Sequence, residues 1–321
     1  MLTIIEEMFS DSELASRLAK ARRFDAGESL QTDDDYALNW LYATDAIRNN
    51  ATTWLRGGGY NGKTNANIIL EWFTLNDGEN FWRLSKHIWT RDRFKTHTPK
   101  GDEDDLAYDR RMGIHKNIEL KSTIPEKNIA RLMVDAARKG QLFRTEMARI
   151  GRPLNFEVPL FEKDNEPYDC IDLVSYLEDE AKMFLLELKR PKSSESLLRC
   201  ILEIYTYIKA IGDWRKFIAD FNDAGRGIKI ADDTILVACP LVFMDLPEHE
   251  RSIRKADHSI PYYDFVNLRK DENFSLLISL INQDLRENVF HDEFDHFDFA
   301  FVKETDPVIG SIIDQVAKYK A

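Results

Sequence analysis

The sequence predicts an α/β protein: a mixed central sheet flanked by helices, preceded by a mainly helical N-terminal region. Three observations carry this expectation. From Pro125 onward the apolar pattern runs helix, three strands, helix, strand, which is the order of a layered unit built around one sheet. The run at 234–244 is apolar without alternation, as in a strand covered on both faces. Trp40, Trp54, Trp72, Trp82 and Trp89 all lie before residue 100, among helix-like segments. Residues 1–120 therefore read as an aromatic-rich helical region ending in a polar linker, with residues 121–321 as the α/β domain.

The elements follow in order. The first residues, MLTIIEEMFSDSELASRLAKARRF, read as an amphipathic helix, since their early acidic residues do not suit a secretory signal. Gly57-Gly58-Gly59-Tyr60-Asn61-Gly62-Lys63-Thr64 matches the phosphate-loop pattern letter for letter, with Lys63 and Thr64 in the phosphate and Mg²⁺ positions. The stretch before it is too polar for the buried strand such a loop requires, so a glycine turn capping the next helix is the favoured meaning. Residues 65–73 and 79–89, joined by Leu-Asn-Asp-Gly, predict two helices across a tight turn. They are either a DNA-reading pair, with Arg83, Lys86 and His87 on the second helix, or two packed aromatic helices.

Pro125 and Glu126 open a helix whose apolar residues (Ile129, Leu132, Met133, Ala136, Phe143, Met147, Ile150) keep a helical period, with a kink expected at Gly140. Strands are predicted at 154–161, 168–177 and 182–190, then a helix at 193–211. The buried strand at 234–244, a helix near 274–285 and a strand near 297–302 complete the domain. His291, Asp292, Asp295, His296 and Asp298 include metal-ligand types. Their alternation with Phe294, Phe297, Phe299 and Phe301 reads instead as a solvated strand face.

Chemistry concentrates in the second and third strands. If the turn centres between Asp179 and Glu180, Leu177 faces Lys182 and Asp172 faces Glu187. Facing residues share one side of a sheet with Cβ atoms about 5 Å apart. Lys189, two residues beyond Glu187, shares that side. Two opposed carboxylates in an apolar sheet are costly without a compensating charge, and Mg²⁺, which takes oxygen ligands, is the natural compensation. Acid, acid and lysine on one face form the set that phosphodiester hydrolysis needs.

Ile171-Asp172-Leu173-Val174, followed by an apolar strand ending Leu185-Leu186-Glu187-Leu188-Lys189, resembles the PD-(D/E)XK, or restriction-endonuclease-like, nuclease superfamily. The order of elements from residue 125 to 244 resembles its core as well. The resemblance implies a nuclease that hydrolyses DNA, less often RNA, with Mg²⁺ or Mn²⁺. It makes Asp172 and Glu187 metal ligands, adds the Leu188 carbonyl to them, and sets Lys189 on the attacking water. It also offers Glu146 as a further acid, roughly 80° from its helix's apolar stripe on a wheel of ~100° per residue. Some exonuclease-like branches carry Gln-x-x-x-Tyr on the next helix. Here Glu203 and Tyr207 stand in those places, and both point away from the helix's apolar stripe, as surface residues do. The signature proline is displaced too, since Pro167 precedes Asp169, on the opposite strand face from Asp172.

The net charge of -12 weighs against a nucleic-acid partner, because phosphate binding relies on Lys and Arg. The charge is uneven, however. Arg131, Arg138, Lys139, Arg144, Arg149 and Arg152 face only Asp135 and Glu146 in one stretch. The alternatives are an inactive nuclease-fold binding module and an NTP-binding switch on Lys63. Cys170, Cys200 and Cys239 lack zinc-like spacing, and with no membrane-spanning run they imply a cytoplasmic protein. Double-strand cutting by a single site of this kind implies a homodimer.

Overall fold

The computed structural model describes residues 65–86, 120, 125–141, 143, 146–159, 170–191, 193, 195–212, 214–223, 229–244, 265–266, 268–290, 294–303 and 306–320. In chain order these form α1 (Asn65–Ser85), α2 (Pro125–Arg138), α3 (Glu146–Arg149), β1 (Arg152–Pro159), β2 (Cys170–Leu177), β3 (Lys182–Lys189), α4 (Leu197–Ile211), α5 (Trp214–Asp223), β4 (Ile235–Met244), α6 (Glu272–Leu285), β5 (Phe294–Phe297), β6 (Ala300–Lys303) and α7 (Pro307–Lys320). The chain is a mixed α/β protein, as its sequence predicts. No helix among the described residues is long and apolar enough to cross a membrane.

The sheet runs β1-β2-β3-β4-β5, with β6 also on β4. β1–β2 and β2–β3 are antiparallel, while β4 lies parallel to β3, β5 and β6. A parallel neighbour needs a crossover, and α4 with α5 supplies it between β3 and β4. Pro240 stands in β4 opposite Glu187, although proline brings no N–H to a ladder. The last strand is broken at the same level: β5 pairs with Leu236 and Ala238, and β6 takes over from Leu241.

Both faces of the sheet are covered. Met183 and Leu185 of β3 join Leu236, Ala238 and Val242 of β4 under α4, α5, α6 and α1. Phe184, Leu186 and Leu188 join Val237, Cys239, Leu241 and Phe243 under α2 and α7. α1 consists of two helical arms around Leu75-Asn76-Asp77-Gly78, where Asn76, Asp77 and Gly78 have positive φ. A Cβ on Gly78 would lie 2.4 Å from the Leu280 side chain, so this turn needs glycine for space as well as for φ. Phe73, Phe81 and Leu84 belong to the core under the sheet. The aromatic arms of α1 pack on α6. The two arms pack across the turn, and Arg83 lies over Trp72, 5.9 Å from its ring centre.

The helix expected to continue to Ile150 ends at Arg138. Gly140 takes φ +74, and the N–H groups of Gly140 and Gln141 close back onto the carbonyls of Ala137 and Ala136. The apolar period survives the break because Ile150 reaches the same core from the separate, short α3. α5 and α7 are not among the sequence expectations, and the terminal strand is split into β5 and β6. Cys170, Cys200 and Cys239 are all free thiols.

Candidate active site

The β2–β3 register is the one the sequence predicts: Leu177 pairs with Lys182, and Leu173 with Leu186. One step further, the ladder gives way to a side-chain contact in which the Leu188 N–H donates to Asp172 Oδ2 at 2.9 Å. The charge of Asp172 reaches Glu187 and raises its carboxyl, and Lys189 acts on both. These side chains continue the row begun by Met183 and Leu185, so they face α4. Their chain neighbours Leu186 and Leu188 point into the opposite core.

Lys189 is the centre of the cluster. Its Nζ donates to Glu187 Oε1 at 2.7 Å and to Glu203 Oε2 at 2.9 Å, and it lies 2.9 Å from Glu195 Oε2. Ser196 caps α4 by accepting from the Arg199 N–H at 3.2 Å, which sets the helix start and puts Glu195 just outside it. Tyr207, one turn beyond Glu203, donates to Glu203 Oε1 at 3.1 Å. Glu203 and Tyr207 are thus not surface residues. Every residue of α4 except Arg199 is buried, because the sheet covers one side of the helix and other helices cover the rest.

The electrostatics reflect crowding. Burial pushes the Asp172 carboxyl up to about 7, against the opposing pull of Lys189 and the Leu188 N–H. Burial, then repulsion from Asp172 and Glu203, raises the Glu187 carboxyl well above the usual range. Burial also disfavours the Lys189 charge, but Glu187, Glu203 and Glu195 outweigh it and hold the ammonium well above its ordinary value. For Glu203, Lys189 and Arg199 overcome burial and keep the carboxylate low. A hydrogen bond from Glu187 also helps to keep the Glu203 carboxylate low.

No family model, curated protein or solved structure matches the chain. The site therefore has to be read from its own chemistry. Glu187 and Lys189 are 4% and 5% exposed, while Asp172 is half-buried and forms the open side. Among the described residues, no three His, Cys, Asp or Glu side chains are arranged to hold a metal ion, and here the Lys189 ammonium sits between Glu187 and Glu203. Mg²⁺ asks for less: one or two carboxylates, with water and phosphate oxygens completing its shell. Asp172 and Glu187 meet that demand. The two groups of a strand residue face the same neighbour, as the double exchange in antiparallel pairs requires, so the Leu188 carbonyl lies on the Asp172 side with its N–H.

Other sequence candidates fall elsewhere. Glu146 begins α3, which contacts β6, and its side chain lies outside the described residues. The same is true of residues 57–64, His87, His291, Asp292 and the Asp295 side chain. His296 and Asp298 line a cleft of about 200 Å³ with Arg149 and Lys182, near the β2–β3 turn and away from Glu187. The sequence reading missed Glu195. It also missed Glu126, which pairs with Arg190 at 3.2 Å and acts on Asp172 from the first turn of α2.

Proposed function

We propose that this protein is a Mg²⁺-dependent nuclease of the restriction-endonuclease-like kind, hydrolysing phosphodiester bonds in DNA. The observation that carries the reading is the β2–β3 register, which ends at Leu173–Leu186 and leaves Asp172, bonded to the Leu188 N–H, beside Glu187 with Lys189 two residues on. The order α2, β1–β3, α4, β4, with two antiparallel ladders and then a parallel one, supports the fold assignment. The excess of buried carboxyls over ammonium groups supports a cation. Asp172, Glu187 and the Leu188 carbonyl would hold it. Bound there, Mg²⁺, or Mn²⁺ in its place, would supply Lewis acidity and lower the pKa of water.

The chain's own groups do the rest. Asp172 and Glu187 would hold the cation as carboxylates, since a ligating carboxyl must be ionised. Lys189 Nζ, 2.7 Å from Glu187 Oε1, would orient the attacking water and offset charge on the phosphate. Glu203, itself fixed by the Tyr207 hydroxyl, keeps the lysine protonated and in place.

A second reading, a nuclease-fold binding module without catalysis, draws support from the ties of Lys189 to three carboxylates. One experiment separates the two. Plasmid, linear and single-stranded DNA are incubated with Mg²⁺ or Mn²⁺, using wild type, Asp172→Ala and Lys189→Ala, with a chelator control. Cleavage by wild type alone supports the nuclease. Cleavage surviving in both variants rejects the site, and a wild type inert with either metal favours the binding module.

A further inference from the structure

Between the end of α2 and the start of β1 lies a cleft of about 420 Å³, within the size range of pockets that enclose small ligands. Arg138 and Arg152 line it, together with half-buried Phe143 and the exposed Gln141. Gly140 borders open space: a Cβ there would meet no heavy atom within 4 Å. The Arg138 guanidinium is held below its ordinary value by burial, with the charge of Arg152 adding to the effect, although Asp135 opposes both. Two like charges beside one concavity are relieved by an anion between them. In a chain of net charge -12 such a basic lining is a local feature, not the surface average.

The rest of the lining narrows the anion. Phe143 offers a flat apolar face, and the Gln141 amide carries both a donor and an acceptor. Aromatic faces beside basic side chains are how single-stranded nucleic acid is held, base on ring and phosphate on cation. We infer that this cleft binds one nucleotide unit of a single-stranded nucleic acid, with its phosphate on Arg138 and Arg152 and its base against Phe143. Arg152 pairs with Tyr176, four residues along β2 from Asp172, about 13 Å of strand at ~3.3 Å per residue. α2, whose end borders the cleft, covers the sheet face opposite the carboxylates, so a strand held there lies apart from them. The inference deepens the nuclease reading and rests on it for the polymer, but its test needs no hydrolysis.

The test is fluorescence anisotropy of the full chain with a labelled oligothymidylate, in chelator, over a range of salt. Arg152→Ala should weaken binding about tenfold and reduce the salt slope by about 0.7, the share of one single-strand phosphate contact. Phe143→Leu should weaken it by a similar factor, about tenfold, with the slope unchanged and little effect on a duplex of the same sequence. An Arg152→Ala chain with unaltered affinity and slope overturns the inference. So does a Phe143→Leu loss that is equal for duplex and single strand, or a wild type that binds thymidine monophosphate and ignores the oligonucleotide. Cleavage failing while the Arg152 dependence persists sinks the hydrolase and leaves this cleft standing; the reverse result sinks the cleft alone.

Discussion

Two buried lysines touch the same helix and live in opposite circumstances. Lys209 of α4 donates to Asp284 Oδ2 at 2.6 Å. That carboxylate also takes the Tyr205 hydroxyl at 2.6 Å and the Asn288 amide at 2.9 Å. One cation meets one anion, and neutral donors fill the remaining lone pairs. Burial keeps Lys209 below its ordinary value. Lys189 meets Glu187, Glu195 and Glu203 with Asp172 beside them, and its ammonium is pushed the other way. A closed pair of the first kind ties α4 to α6. In the second cluster the carboxyls outnumber the cations, although Arg199 also meets Glu195 at 3.3 Å and Glu203 at 3.9 Å.

The largest effect that would break this contrast is Lys189→Met. It should abolish Mg²⁺-dependent cleavage, a loss of at least about 10²-fold, and destabilise the metal-free chain by about 3–5 kcal/mol through unpaired buried charge. Mg²⁺ should then stabilise the variant more than wild type in thermal melts. Lys209→Met should cost about 3 kcal/mol, for the same reason, yet leave metal affinity by calorimetry unchanged. Equal metal responses from the two variants would erase the distinction.

Next comes pH. The folded-state value of Asp172, about 7, lies above its ordinary 3.8. The stability this group contributes is therefore full below about pH 4 and lost as pH rises through 7. Asp172→Asn should remove that loss, raising the metal-free melting temperature at pH 8 by about 2–4 °C per kcal/mol recovered. By the same sign, Mg²⁺ affinity should increase between pH 5.5 and 7.5, with proton release visible as a buffer-dependent binding enthalpy. An affinity flat across that window would deny Asp172 the ligand role. The smallest effect is Tyr207→Phe, which loses one hydrogen bond to Glu203, about 1 kcal/mol in a denaturant titration.

Much of the site was legible because β-pairing is arithmetic. A short turn between alternating strands fixes the sum of facing residue numbers, and Glu178–Glu180 with left-handed Ala181 kept it. Glu203 and Tyr207 escaped because stripe logic assumes a helix with one wet side, and α4 has none. The break at Gly140 was hidden by apolar residues that regain the same core after the chain has turned. α7 did carry a readable start, since Asp306 accepts from the Val308 N–H at 2.9 Å with Pro307 in the first turn.

Pro240 has a mechanical consequence. β3 pairs with β4 without a break across Pro240, but on the outer side, where the proline brings no donor, the edge of the sheet is pinned in two halves. Sliding either half past the proline would forfeit bonds on both sides. The interruption between β5 and β6 works as a detent that fixes the alignment of the outer strands against the strand beside the carboxylates.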